Sequence, residues 1–261
     1  MENLKKYGKA PFNVAVIHGG PGAPGEMAPV AKELSTTRGV LEPLQTKSTL
    51  KGQLQELKMV LKENGDLPVI LVGYSWGAML SFILTARNPS LVKKLILVSS
   101  GVFEDKYAVN IMRTRLSRLT EEERAAVDSL LKILDGPDSK DKNRIFAQFG
   151  EYISKADSYD PLPYESKVIG CRYDIYEGVW ADATELRSSG KLVALGKQIQ
   201  CPVVAIHGDY DPHPPEGIKT PLSGVVKDFR FILIENCGHH PWIERTARDR
   251  FYTILKEELR G

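Results

Sequence analysis

Apolar residues fall into two alternating rhythms along the chain. Short runs dominated by apolar, often β-branched residues occur at NVAVI (13–17), Val40–Leu44, PVILVG (68–73), KLILVSS (94–100), PVVAIHG (202–208) and FRFILIE (229–235). Such runs suit strands buried on both faces of a parallel sheet. Between them, apolar residues recur at helical spacing over Met27–Leu34, Leu50–Glu63, from Trp76 through Met79, Leu80, Phe82, Ile83 and Leu84, and over Ile243–Leu259. The helix from Trp76 is expected to stop at Asn88, because Pro89 disfavours helical geometry in the residue before it. Alternation of strand and helix predicts an α/β fold around a mainly parallel six-stranded sheet. No internal repeat or low-complexity tract interrupts it.

One gap breaks the rhythm. Between the fourth and fifth strands the chain reads as helices, including TEEERAAVDSLLKIL, where Thr120 and Glu123 are placed to form a capping box. This stretch is too long for a simple crossover. The expected division is therefore a core of residues 1–101 and 200–261, with residues 102–199 inserted as a helical cap over the ends of the strands.

Composition narrows the function. The chain has 261 residues, 42% hydrophobic and 26% charged, enough for one large core. With a net charge of +2 and dispersed Lys and Arg, it carries no basic block suited to nucleic acid. Three cysteines, Cys171, Cys201 and Cys237, are odd in number and widely spaced, which argues against a disulfide framework and fits a reducing compartment. The run FNVAVI after Lys5, Lys6 and Lys9 is too short for a signal peptide or a membrane span. A cytoplasmic protein with no membrane partner is expected; the oligomeric state is open.

The candidate chemistry begins at GYSWG. Ser75 lies where the strand ending at Gly73 gives way to the helix starting at Trp76, a sharp turn that crowds its neighbours and needs the missing Cβ of Gly73 and Gly77. Such a serine is presented to solvent with a helix N-terminus beside it. It becomes a nucleophile only when an imidazole takes its proton and a buried carboxylate orients that imidazole. HGDYDPHPP follows the fifth strand and NCGHHPWIE the sixth, so acid and histidine come after the serine in the order Ser, Asp, His. A rival reading makes His207, Asp209, Asp211, His213, His239 and His240 a metal cluster, but the spaced pair on a helix used by zinc hydrolases is missing.

Taken together, HGGPG after the first strand, GYSWG, HGDYD and GHHPW resemble the α/β-hydrolase family, and HGGPG with SWG is most similar to its proline iminopeptidase branch. The resemblance implies Ser75 as nucleophile, Asp211 as acid, His239 as general base, an oxyanion hole from the amides of Gly20 and Trp76, and a cap in the position of the helical insertion. It also implies that the family's two leading strands are missing here, leaving six parallel strands in the order 2-1-3-4-5-6. Asp211 is preferred to Asp209 on the family's HGxxD spacing, with Asp209 bracing the turn. His239 is preferred to His240, which precedes Pro241. His18 is read as shaping the glycine turn, and Cys237 as a small buried hydrophobe. The chain departs from the iminopeptidase pattern at Tyr74 and Ala78, and in the short stretch before its first core strand.

This machinery suits hydrolysis of a carboxylic ester, thioester or amide of a small molecule through an acyl-enzyme, without metal or cofactor. An iminopeptidase-like aminopeptidase needs a carboxylate for the substrate ammonium, and Glu151, Asp157, Asp160, Asp174, Glu177 and Glu185 are candidates. A non-catalytic ligand-binding protein on the same fold is the third reading.

Overall fold

The computed structural model describes residues 3–136, 141–163 and 169–260; residues 137–140 and 164–168 of the expected cap lie outside them. Its strands are β1 (Leu4–Tyr7), β2 (Val14–Ile17), β3 (Val40–Pro43), β4 (Val69–Tyr74), β5 (Val92–Val98), β6 (Val203–Gly208) and β7 (Phe229–Ile234). They form one seven-stranded sheet in the order β1-β3-β2-β4-β5-β6-β7. The expected six parallel strands are present in the expected order. The seventh, β1, was not expected: it runs antiparallel to β3, pairing Leu4 with Pro43 through Tyr7 with Val40.

The sequence LKKY is too short and too polar to announce a strand by its own pattern, and β1 is held instead by its neighbour. The Tyr7 hydroxyl donates to Glu42 Oε2 at 2.6 Å. Glu42 is fully buried; burial raises its carboxyl pKa, against the Tyr7 hydrogen bond and the charges of His18, Lys5 and Lys32. Lysines on an edge strand also protect it from pairing with other chains.

Ten α-helices accompany the sheet among the described residues: α1 (Ala28–Leu34), α2 (Leu50–Asn64), α3 (Trp76–Arg87), α4 (Ile111–Ser117), α5 (Glu121–Asp135), α6 (Lys142–Asp157), α7 (Tyr173–Ser188), α8 (Lys191–Ala194), α9 (Glu216–Ser223) and α10 (Arg248–Glu258). The central strands β2 and β4 are apolar throughout because both faces are covered. Ala15, Ile17, Leu71, Leu95, Leu97 and Ala205 join one core cluster with α2 and α3, whereas Val14, Val16, Val72, Ile96, Val98 and Ile206 join the other with α1 and α10. The α3 helix is buried on every side from Trp76 to Ala86, as expected of a helix with no polar face. No described helix is long and apolar enough to cross a membrane.

The helices α4 to α8 lie between β5 and β6. Thr120 caps α5 in the expected box: its side chain accepts from Glu123 N–H while the Glu123 carboxylate accepts from Thr120 N–H. These helices do not bury their apolar faces alike. Ile175, Val179 and Ala183 of α7 belong to the main core cluster, while Leu119, Val127 and Ala156 form a small separate one. The closing helix starts at Arg248 rather than near Ile243, because Pro241–Ile243 make a tight 3-10 turn that buries Trp242 and Ile243.

The site is positioned by β2 and β4. They are adjacent and parallel, with Val16 opposite Val72 and Ile17 opposite Gly73, yet their onward connections lead to opposite sides, to β3 and to β5. That reversal leaves a crevice beyond their carboxyl ends.

Candidate active site

Ser75 links β4 to α3 with φ 51° and ψ −115°, a left-handed conformation that a non-glycine residue holds only when its surroundings enforce it. Those surroundings are backbone. A Cβ on Gly73 would lie 2.4 Å from Gly77 O, and one on Gly77 would lie 2.3 Å from Ile17 O and 2.4 Å from His18 O. The two glycines therefore let α3 start directly against the end of β2, which is why HGGPG and GYSWG meet. The indole N–H of Trp76 fixes the start of the helix by donating to Gln53 Oε1 at 2.9 Å.

His239 and Asp211 arrive from the loops after β7 and β6. The Ser75 hydroxyl donates to His239 Nε2 at 3.0 Å, and His239 Nδ1–H donates to Asp211 Oδ2 at 2.6 Å. Because Nδ1 keeps its proton in the hydrogen bond to the carboxylate, the lone pair on Nε2 faces the serine. Asp211 and His239 are each 5% exposed. Burial alone would raise the Asp211 pKa, but the charges of His239, His207 and His213 and a hydrogen bond from His213 hold it well below the usual carboxylate range. Burial would lower the His239 pKa, but Asp211 more than compensates through its charge and hydrogen bond, leaving it raised.

A second imidazole shares the carboxylate. His213 donates to Asp211 Oδ1 through both its backbone N–H at 2.9 Å and its Nδ1–H at 2.8 Å. Its ring stacks on that of His239 with centroids 4.8 Å apart. Burial, the largest influence, pushes the His213 pKa down to about 4, so at neutral pH it is an uncharged donor. His207 Nε2–H donates to the His213 carbonyl at 2.7 Å and completes the surround. The role of His213 toward Asp211 was missed at the level of sequence. Its signal was present in Asp-Pro-His, since Asp before Pro favours a turn in which the carboxylate accepts the N–H two residues on.

The other candidates also find places. Asp209 Oδ1 accepts from Cys237 N–H at 3.2 Å, bracing two loops. His240 faces Glu26 Oε1 at 3.4 Å and packs edge-on to Trp242 and His239. Tyr74 lies beneath, its ring 5.1 Å from His239 and 4.7 Å from Trp242. His18 is buried with Nδ1–H donating to Gly19 O at 2.8 Å, and Cys237 is fully buried. Among the described residues neither Gly20 N–H nor Trp76 N–H has an internal acceptor, and both stand at the crevice between β2 and β4.

Of the metal cluster proposed above, only Asp211, His213 and His239 bring potential ligand atoms within 4.8 Å of one another among the described residues. The contacts from Asp211 to the two imidazoles are hydrogen bonds of 2.6 and 2.8 Å. Two ligands of one tetrahedral zinc lie about 3.3 Å apart. The set is built for N–H to carboxylate contacts.

Residues between β5 and β6 are tied to this site by hydrogen bonds. His239 N–H donates to Asp157 O at 2.8 Å, and a Cβ on Gly238 would lie 2.2 Å from the same oxygen. The fully buried Glu244 accepts from Gly238 N–H at 3.1 Å, Tyr159 N–H at 2.9 Å and Asp160 N–H at 2.8 Å. Arg172 N–H donates to Gly22 O at 2.9 Å on the other side. Of the acidic candidates for an ammonium, Glu151, Glu177 and Glu185 are exposed. Asp160 and Asp174 pair with Arg245 and Arg172. Asp157 is buried but engaged by Arg115 through both oxygens at 2.7 Å.

Comparison with known proteins agrees with this architecture. The family model for the α/β hydrolase fold matches residues 46–246, and the chain belongs to that family. No curated protein sequence matches the chain. Among solved structures, VinJ is 20% identical with a TM-score of 0.67, the match covering 98% of this chain and 94% of that one. A proline iminopeptidase from Mycobacterium smegmatis is 19% identical with a TM-score of 0.63, covering 98% and 94%. An enol-lactonase from Burkholderia xenovorans LB400 is 16% identical with a TM-score of 0.64, covering 99% and 96%. At these identities the likeness concerns the fold.

Proposed function

We propose that this chain is a serine hydrolase that cleaves a carboxylic ester, thioester or amide of a small molecule through an acyl-enzyme on Ser75. The observation that carries the reading is the continuous relay from the Ser75 hydroxyl to His239 and on to Asp211, at 3.0 and 2.6 Å. In this scheme Ser75 Oγ attacks the carbonyl carbon as His239 Nε2 takes its proton. The oxyanion is received by the amides of Gly20 and Trp76, which have no other acceptor. Collapse expels the leaving group, which takes the proton from His239. Water then attacks the acyl-enzyme, again with His239 as base, releasing the acid and restoring Ser75. The helices of residues 102–199 act as the cap that shields these steps.

An ester, thioester or non-peptide amide is favoured over an N-terminal amino acid. The one acidic candidate buried at the site, Asp157, is already neutralised by Arg115.

The test is a pH profile on p-nitrophenyl esters of graded chain length, beside aminoacyl-nitroanilides. Only neutral His239 accepts a proton, and its pKa is raised above the ordinary 6.5. kcat/KM for the esters should therefore rise with pH through one ionisation centred above 6.5, the nitroanilides reacting much more slowly. An acid limb centred below 6.5 contradicts His239 as the base, and faster nitroanilides restore the aminopeptidase.

A further inference from the structure

We propose that Arg115 anchors a carboxylate of the substrate, so that the reactive ester or amide belongs to a molecule with an anionic arm. The proposal rests on the serine-hydrolase reading and adds the substrate class to it.

The argument starts from how the guanidinium is held. Arg115 meets Asp157 side-on, with Nε–H donating to Oδ1 and Nη2–H to Oδ2, both at 2.7 Å. That geometry uses two of five N–H donors and leaves the end-on fork of Nη1 and the second Nη2 hydrogen, the shape that grips a further carboxylate through two parallel bonds. No described residue accepts from Nη1. The other arginine at this end of α4 is committed: Arg118 Nη1 donates to Ala156 O at 2.9 Å and its guanidinium lies 3.6 Å from the centre of the Tyr210 ring.

Arg115 is also in the right place. Asp157 is 1% exposed, and its own carbonyl accepts the His239 amide at 2.8 Å, so one residue separates the guanidinium from the base. The positive charge of Arg115 is felt at Asp211, Tyr74, His213, His239 and Tyr176. Tyr176 in turn packs against Phe146 with centroids 4.6 Å apart and stacks on Trp180 at 6.0 Å. The underside of the helices over the site thus offers one open cationic fork beside aromatic faces. Asp157 offers an ammonium less, since Arg115 already engages both of its oxygens, and Glu244 is filled by three amides.

Matched esters test this. Mono-4-nitrophenyl glutarate carries the carboxylate on the acyl side and 4-butyryloxybenzoate on the leaving side; the methyl ester of each is its neutral control. The wild-type protein should prefer the charged member of one pair at least tenfold in kcat/KM, the pair showing which side Arg115 reads. That charged-to-neutral ratio should fall at least tenfold in Arg115→Met and partly in Arg115→Lys, which keeps the charge but not the fork. No preference in the wild type, or an unchanged ratio in Arg115→Met, overturns the proposal. If Arg115→Met fails to fold because Asp157 is left unpaired, Arg115→Met with Asp157→Asn removes both charges and must show the same fall. If none of the four esters is turned over, slowing of fluorophosphonate labelling at Ser75 decides: glutarate should slow it at least threefold more than glutaramide, and equal slowing overturns the proposal. A protein that fluorophosphonate does not label at all instead defeats the hydrolase reading beneath it.

Discussion

Replacing Ser75 or His239 by alanine should lower kcat for ester hydrolysis by about 10⁵- to 10⁶-fold while leaving thermal stability nearly unchanged. The size follows from the relay acting as a unit. Without Oγ no acyl-enzyme forms, and without Nε2 the hydroxyl stays protonated and unreactive. The double variant should be scarcely worse than either single one, because each already removes covalent catalysis and leaves only binding and the amide pair. Measured kcat within tenfold of wild type for Ser75→Ala would end the serine mechanism.

The second large effect is expected at Asp211→Asn, about 10⁴-fold in kcat, against less than about tenfold for Asp209→Asn. The contrast comes from what faces each carboxylate. Oδ1 of Asp211 accepts the backbone N–H of His213, a donor that cannot change its proton, so an asparagine must place its carbonyl there. Its NH₂ then faces His239 Nδ1, where Asp211 Oδ2 now accepts at 2.6 Å. His239 is driven into the tautomer with the proton on Nε2, which donates to Ser75 instead of taking its proton. Among the described residues the Asp209 carboxylate meets only the Cys237 N–H, at 3.2 Å, and an asparagine carbonyl accepts that bond equally well. Kinetics of the opposite ranking would transfer the acid to Asp209.

Much of the fold, and the grouping of residues at the candidate site, could be read from the sequence because their signals are local. Runs such as PVILVG are apolar without alternation because Ile70 and Leu71 face opposite, equally covered sides of the sheet. Gly73 and Gly77 bracket Ser75 because backbone fills the space of their side chains. What escaped depends on distant partners. The strand β1 is only four residues, two of them lysine, and exists by virtue of pairing with β3 and of Tyr7 reaching Glu42, 35 residues on. The pair Arg115 and Asp157 spans 42 residues, and Glu244 meets Tyr159 and Asp160 across 85 and 84. No periodicity in α4 or in GHHPWIE announces these contacts, since they depend on how the inserted helices dock. His213 lies between: its Asp-Pro-His turn is local, but its value comes from stacking on a ring 26 positions away.

The most direct measurement is the site of covalent modification by a fluorophosphonate, read by intact mass and peptide mapping. An activated serine predicts one adduct per chain, located on Ser75, forming faster as pH rises through the His239 ionisation and absent in Ser75→Ala and strongly slowed in His239→Ala. No adduct at neutral pH, or an adduct that persists in Ser75→Ala, would contradict the account.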